Sequence, residues 1–169
     1  MDIQPISPLM LRMCGRGGSL DWTELVAGYD FSLLGHEEIR RWIRAQGAKG
    51  EAALRLLALE GEDLLDFEQH LWEACTEAMG RVPRPGERCW AEAQDRWRRA
   101  LLDEALEADL TEAALAQTIE SIYERVGCPD DMLALWVRRS PWQGRAERVD
   151  FQALRRFLGT GGARVPAAA

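Results

Sequence analysis

Leu64, Phe67, Leu71, Cys75 and Met79 recur at steps of three and four, with Asp66, Glu73 and Glu77 set outside the stripe. Only a helix turning every 3.6 residues brings such positions onto one side, so a core-facing helix is predicted here. The same spacing returns in Trp90, Ala93, Trp97, Leu101 and Ala105, and again in Leu115, Ile119, Ile122 and Val126. No stretch sustains alternation with β-branched residues, so no substantial sheet is expected. The chain reads as all-α, one globular domain of roughly seven to nine helices over residues 1–158. Residues 159–169, with Gly159, Gly161, Gly162 and a final alanine run, read as a flexible tail. Apolar residues make up 47% of the 169, enough to build a core without a metal or disulfide.

Stops and starts divide the pattern. Ser7-Pro8 opens a short helix to Cys14, which Gly15-Arg16-Gly17-Gly18 should break. Asp21-Trp22-Thr23-Glu24 has the spacing of a capping box, heading a helix that ends near Gly28. His36-Glu37-Glu38 begins the next, with Ile39, Trp42 and Ile43 on one face. Gly47 and Gly50 bracket a break, and residues 51–59 predict a mostly buried helix. Two prolines and two glycines make residues 80–86 a loop. Asp109-Leu110-Thr111-Glu112 reads as a second capping box. A helix from Asp130 to Arg139 should turn Met132, Leu135 and Trp136 inward, and a last one uses Phe151, Leu154, Phe157 and Leu158. Six of the seven tryptophans, Trp22, Trp42, Trp72, Trp90, Trp97 and Trp136, fall in or beside these stripes and are expected in the core. Trp142 lies in Ser140-Pro141-Trp142-Gln143-Gly144, where it either folds back or stays out for a partner.

Charge is uneven. Residues 1–135 hold 26 acids and 14 basic side chains, while residues 136–169 hold 2 and 7. Two windows, 60–77 and 101–124, contain seven acids each and no Lys or Arg. Such windows are either solvated helix faces or a surface that repels phosphate and draws a basic partner. Nucleic acid is therefore not an expected partner, and the late arginines are available to pair with the acids.

The catalytic motifs fail on inspection. Lys49 is the only lysine, so the glycines near Arg16 make no phosphate loop, and no G-x-S-x-G occurs. His36-Glu37 lacks a second His four residues on. Asp66 and His70 share a helix face, which can orient an imidazole, but no nucleophile follows on that face. Cys14, Cys75, Cys89 and Cys128 stand singly with only two histidines to help them, so no metal site and no cofactor is expected. The cysteines are expected reduced and buried. Met1-Asp2-Ile3-Gln4-Pro5 carries no basic start of a secretory signal, and no apolar run approaches the ~20 residues of a membrane span, which points to the cytoplasm.

Leu20-Asp21-Trp22, Gly28 and Leu34 precede a helix that opens with acids. Later come Ile122-Tyr123-Glu124-Arg125-Val126-Gly127-Cys128-Pro129-Asp130-Asp131 and Val137-Arg138-Arg139-Ser140-Pro141. Over residues 18–158 this order resembles a bacterial family known as domain-of-unknown-function family 2247. The chain differs in being Arg-rich where that family is Lys-rich, and in carrying Arg139 where an aromatic is usual. Small acidic families of this kind are similar to immunity proteins encoded beside secreted toxins. The resemblance thus implies a non-enzymatic protein that binds a protein partner, such as a basic toxin domain. An acidic helix would occupy the toxin's phosphate site, and opposite charge would speed capture. The partner-binding residues expected on that reading are Glu60, Glu62, Asp63, Asp66 and Glu68. Asp103, Glu107 and Glu112 form a second surface, and Trp142 an anchor. Two alternatives stand beside it: an adaptor in a larger bacterial assembly, and a hydrolase with an acidic pocket at His70.

Overall fold

A computed structural model describes residues 8–17, 19–47, 49–137 and 148–159. Eight α-helices and two 3-10 segments dominate them, and the one sheet has two strands of two residues each. In chain order the helices are α1 (Pro8–Gly17), α2 (Trp22–Asp30), α3 (His36–Ala45), α4 (Glu51–Ala58) and α5 (Phe67–Met79). They continue as α6 (Arg88–Glu107), α7 (Glu112–Arg125) and α8 (Phe151–Leu158). The 3-10 segments are Gly61–Asp66 and Asp130–Leu135, and the strands are β1 (Trp136–Val137) and β2 (Arg148–Val149). The all-α expectation holds. Among the described residues no helix is long and apolar enough to cross a membrane. The expected tail lies outside the described residues from 160 onward.

The chain forms two compact units, residues 1–95 and 96–169, and their boundary falls inside α6. In the first unit α5 is the central element, with α2 and α4 both packed on it. Its buried side is Phe67, Leu71, Ala74 and Cys75, as the stripe requires, although Met79 reaches the surface. Gly80 ends α5 at φ +80°, a left-handed cap that glycine adopts without Cβ strain. α2 begins with the expected capping box: the Glu24 N–H donates to Asp21 Oδ1, and the Asp21 N–H donates to Glu24 Oε2, both at 2.8 Å. It runs two residues past Gly28, to Asp30. α3 buries Ile39, Trp42 and Ile43 and sets the Trp42 ring edge-on to Trp22, 5.2 Å between centroids. Arg40, also buried, donates to the Leu59 carbonyl and so fastens α3 to the end of α4.

In the second unit α6 and α7 bury the two predicted stripes, Trp97, Leu101 and Ala105 on one and Leu115, Ile119, Ile122 and Val126 on the other. Arg98 is only 8% exposed and meets Asp131 with two hydrogen bonds, 2.6 and 2.8 Å. The Arg98 and Arg99 guanidinium carbons lie 4.7 and 5.0 Å from the Phe157 ring centroid. Arg98 thus ties α6 to the second 3-10 segment by charge, and the two arginines tie α6 to α8 by π contact and a bond from Arg99 to the Phe157 carbonyl.

Four local expectations need correction. α1 continues to Gly17 instead of stopping at Cys14, since glycine costs a helix only about 1 kcal/mol and does not forbid it. Asp109 does not cap α7: it takes a left-handed φ of +49°, and Thr111 caps instead, accepting from the Ala114 N–H. The stretch from Asp130 is a 3-10 segment ending at Leu135, not a helix to Arg139. Met132, Leu135 and Trp136 are buried as expected, but Trp136 and Val137 extend to pair antiparallel with Val149 and Arg148. Aromatic and β-branched residues favour that extended form, and the spacing of three buried positions satisfies either local geometry. Finally, Trp72 is not in the core; it is 44% exposed.

Candidate functional site

Trp72 sits on α5 between the sides that α2 and α4 approach, and it stays 44% exposed. Its helical neighbours at three and four residues are Glu68, Gln69, Cys75 and Thr76, three of them exposed and polar. Two cavities flank the ring. An open groove of about 530 Å³ runs between α4 and α5, past Arg55, Gln69, Glu73 and Thr76. A more enclosed one, about 270 Å³, lies between α2, α5 and the 81–85 loop. Val26, Tyr29, Pro83, Pro85 and Trp90 form its walls, and Asp30, Glu68 and Arg84 supply its charges. A third, about 670 Å³, shares Tyr29, Asp30 and Glu68 and extends along the start of α3 to His36 and Glu38.

The local sequence explains this arrangement. Tyr29 closes α2 and contacts Phe67 and His36 at 5.7 and 6.0 Å between centroids, and His36 stacks on Phe67 at 4.0 Å. Phe67 is fully buried, so this stack fixes where Tyr29 stands. Trp90 is held edge-on by Phe31 at 5.7 Å. The prolines prevent the 81–85 loop from continuing α5. The loop is pinned where Arg81 meets Glu87 at 2.7 Å. Burial, and then the Glu68 charge, push the Tyr29 hydroxyl above its ordinary pKa. Burial, and then the Asp21 carboxylate, push the Cys75 thiol up to about 11.

The acids of window 60–77 have separate employments. Glu60, Asp66 and Glu68 are exposed, and Glu68 lines two of the cavities. Glu62 and Asp63 lie in the first 3-10 segment, but their side chains are outside the described residues. Glu73 stands 3.9 Å from Arg55 and 3.3 Å from His70 Nδ1. Glu77 caps a neighbouring helix: its two oxygens accept from the Glu51 and Ala52 N–H groups at 3.0 and 2.9 Å. Gly50 makes room for that carboxylate, because a Cβ there would come within 2.6 Å of Glu77 Cδ. The cap and the Arg55–Glu73 pair set α4 and α5 antiparallel.

The second predicted surface is more occupied. Asp103 is half-buried, and Asp103 and Glu107 both have partners in the fold. Glu112 pairs with Arg148 at 3.6 Å, one of the late arginines meeting an acid. Trp142 lies outside the described residues. His70 is half-buried, and the carboxylate beside it is Glu73, not the Asp66 that shares its helix face in sequence. All four cysteines are free; Cys75 is buried, Cys14 and Cys89 partly so, and Cys128 is exposed, contrary to the expectation that all are buried. Among the described residues no three His, Cys, Asp or Glu side chains converge as a metal ion requires.

The sequence reasoning missed Trp72, Tyr29 and the loop prolines as a group. The available signal for Trp72 was its polar surroundings at helical spacing, which set it off the Phe67–Leu71–Cys75 stripe. Comparison with family models, curated proteins and solved structures gives no match for this chain.

Proposed function

We propose that this chain is a non-enzymatic binding protein that captures a basic protein partner, acting in the cytoplasm as an immunity protein acts on its toxin. One observation carries the reading: an exposed tryptophan stands between cavities whose rims hold exposed carboxylates. Tryptophan is the side chain most often found at the centre of protein interfaces, where it buries a large area at little entropic cost. Carboxylates around it steer a cationic partner and fix its orientation. The first unit carries the whole net charge of the chain, 17 acids against 10 basic side chains, which favours the surface with Glu60, Asp66 and Glu68 over that with Asp103, Glu107 and Glu112. Kinship with domain-of-unknown-function family 2247 belongs to the same proposal, on the turn and core residues quoted above.

The test is rescue. The product of the reading frame next to this gene is co-expressed with the chain, and growth and complex formation by gel filtration are measured. Rescue with a stable complex, weakened by Trp72→Ala together with Glu68→Gln, is expected. No rescue and no complex with a toxic neighbour would refute the reading.

A further inference from the structure

We infer that the enclosed cavity between α2, α5 and the 81–85 loop receives an arginine side chain of the partner. This deepens the binding reading just proposed and rests on it. The cavity holds about 270 Å³, just under the roughly 300 Å³ at which small-molecule sites begin, so it suits one side chain more than a metabolite. Its walls are Tyr29, Trp72, Trp90 and Pro83, and its carboxylates are Asp30 and Glu68. An aromatic wall attracts a cation through the ring quadrupole, most strongly at tryptophan. A carboxylate beside that wall pairs with the fork of a guanidinium while the ring takes its flat face, a combination that an ammonium matches less well.

The charges facing the cavity are two carboxylates and one guanidinium, that of Arg84. The adjoining cavity adds Glu38 on the same side of Tyr29, although Glu38 already accepts from the Gly35 N–H at 2.7 Å. The local balance is negative. Burial first, and then the Glu68 charge, raise the Tyr29 hydroxyl, the second of these agreeing with that sign. An aliphatic guest would leave two carboxylates to the single guanidinium of Arg84, and an anionic guest would meet a net negative lining. Trp72, free on its outer side, can close over the guest.

The test uses N-acetyl-arginine amide as probe on the full chain, read from the tryptophan indole N–H signals in nitrogen-edited NMR. The Trp72 signal is assigned with Trp72→Phe, a change that keeps a ring on an exposed face. Saturable movement of the Trp72 signal is expected, with the lysine amide weaker and the norleucine amide inert. Glu68→Gln and Trp72→Phe, the latter followed at the Trp90 signal, should each weaken binding roughly five-fold, while a change at the exposed Glu92 of α6, Glu92→Gln, leaves it unchanged. Equal binding of the norleucine amide, a Trp72 signal unmoved by the arginine amide, or wild-type affinity in both variants would overturn the inference. If partner capture persists while the arginine amide leaves Trp72 unmoved, the pocket assignment falls and the binding reading stands. If the amide binds as expected but no toxic neighbour is captured, the pocket stands and the binding reading falls.

Discussion

Residues 1–95 hold 17 acids and 10 basic side chains, whereas residues 96–169 hold 11 of each. The two units use their charges differently as well. In the second, Arg98 is buried on Asp131, Arg98 and Arg99 lie on the Phe157 ring, and Arg148 meets Glu112 at the surface; the first has surface pairs as well, Arg55 with Glu73 and Arg81 with Glu87. In the first, Glu60, Asp66 and Glu68 stay at the surface, Glu68 beside the half-exposed Trp72. A tryptophan of each kind makes the contrast plain. Trp97 is fully buried, and Trp72 is not. An acidic stretch of sequence thus becomes an acidic surface only where the fold brings no cation to it.

The largest expected effect is at Trp97. Trp97→Ala should cost about 3–5 kcal/mol, the range for emptying a buried aromatic site. Urea unfolding checks it; a cost below about 1 kcal/mol would mean that the second unit is not built on this residue. Next come Gly50 and Glu77 in the first unit. Glu77→Ala removes the acceptor of two helix N–H groups and should cost about 1–2 kcal/mol. Gly50→Ala should cost a similar amount by displacing the same carboxylate, and the two losses should not add. A double-mutant cycle reads this directly: full additivity would show that Gly50 and Glu77 act independently.

The third effect concerns cysteines. The Cys75 thiol is pushed up, so the folded chain keeps its proton and stability is unaffected below pH 9. Stability then falls as pH rises from 9 through about 11, a slope that Cys75→Ala should reduce in urea midpoints, the raised Tyr29 hydroxyl accounting for a remaining fall at the upper end. At pH 8 a thiol reagent should react with exposed Cys128 well before Cys75; the reverse order would contradict the burial of α5. A smaller stability effect than at Trp97 is expected at Trp72, where Trp72→Ala should cost about 1–2 kcal/mol for the part of the ring that is covered. A loss as large as that at Trp97 would place Trp72 in the core and erase the contrast between the units.

Much of the fold was legible because helical spacing is a local property. The stripes at Phe67–Leu71–Cys75, Trp90–Ala105 and Leu115–Val126, and the box at Asp21–Glu24, depend on residues within one element. The errors arose where a distant segment decides. Trp136 and Val137 are extended because Arg148 and Val149 are there to pair with them. Asp109 had the spacing of a cap, but the turn out of α6 placed it in a left-handed conformation and left the task to Thr111. The candidate site was less legible for the same reason. Tyr29, Trp72, Pro83 and Trp90 come from four places in the chain, and no spacing rule links them. Glu77 looked like one more solvated acid until α4 presented its N–H groups to it.

Two triple variants test most directly which unit grips the partner. One neutralises Glu60, Asp66 and Glu68 as Gln, Asn and Gln; the other neutralises Asp103, Glu107 and Glu112 as Asn, Gln and Gln. Association rates with the captured neighbour are measured by stopped flow across a range of salt. A roughly ten-fold slower rate and a flatter salt dependence are expected for the first variant only. Equal slowing by both, or slowing by the second alone, would contradict the assignment of the binding surface to residues 1–95.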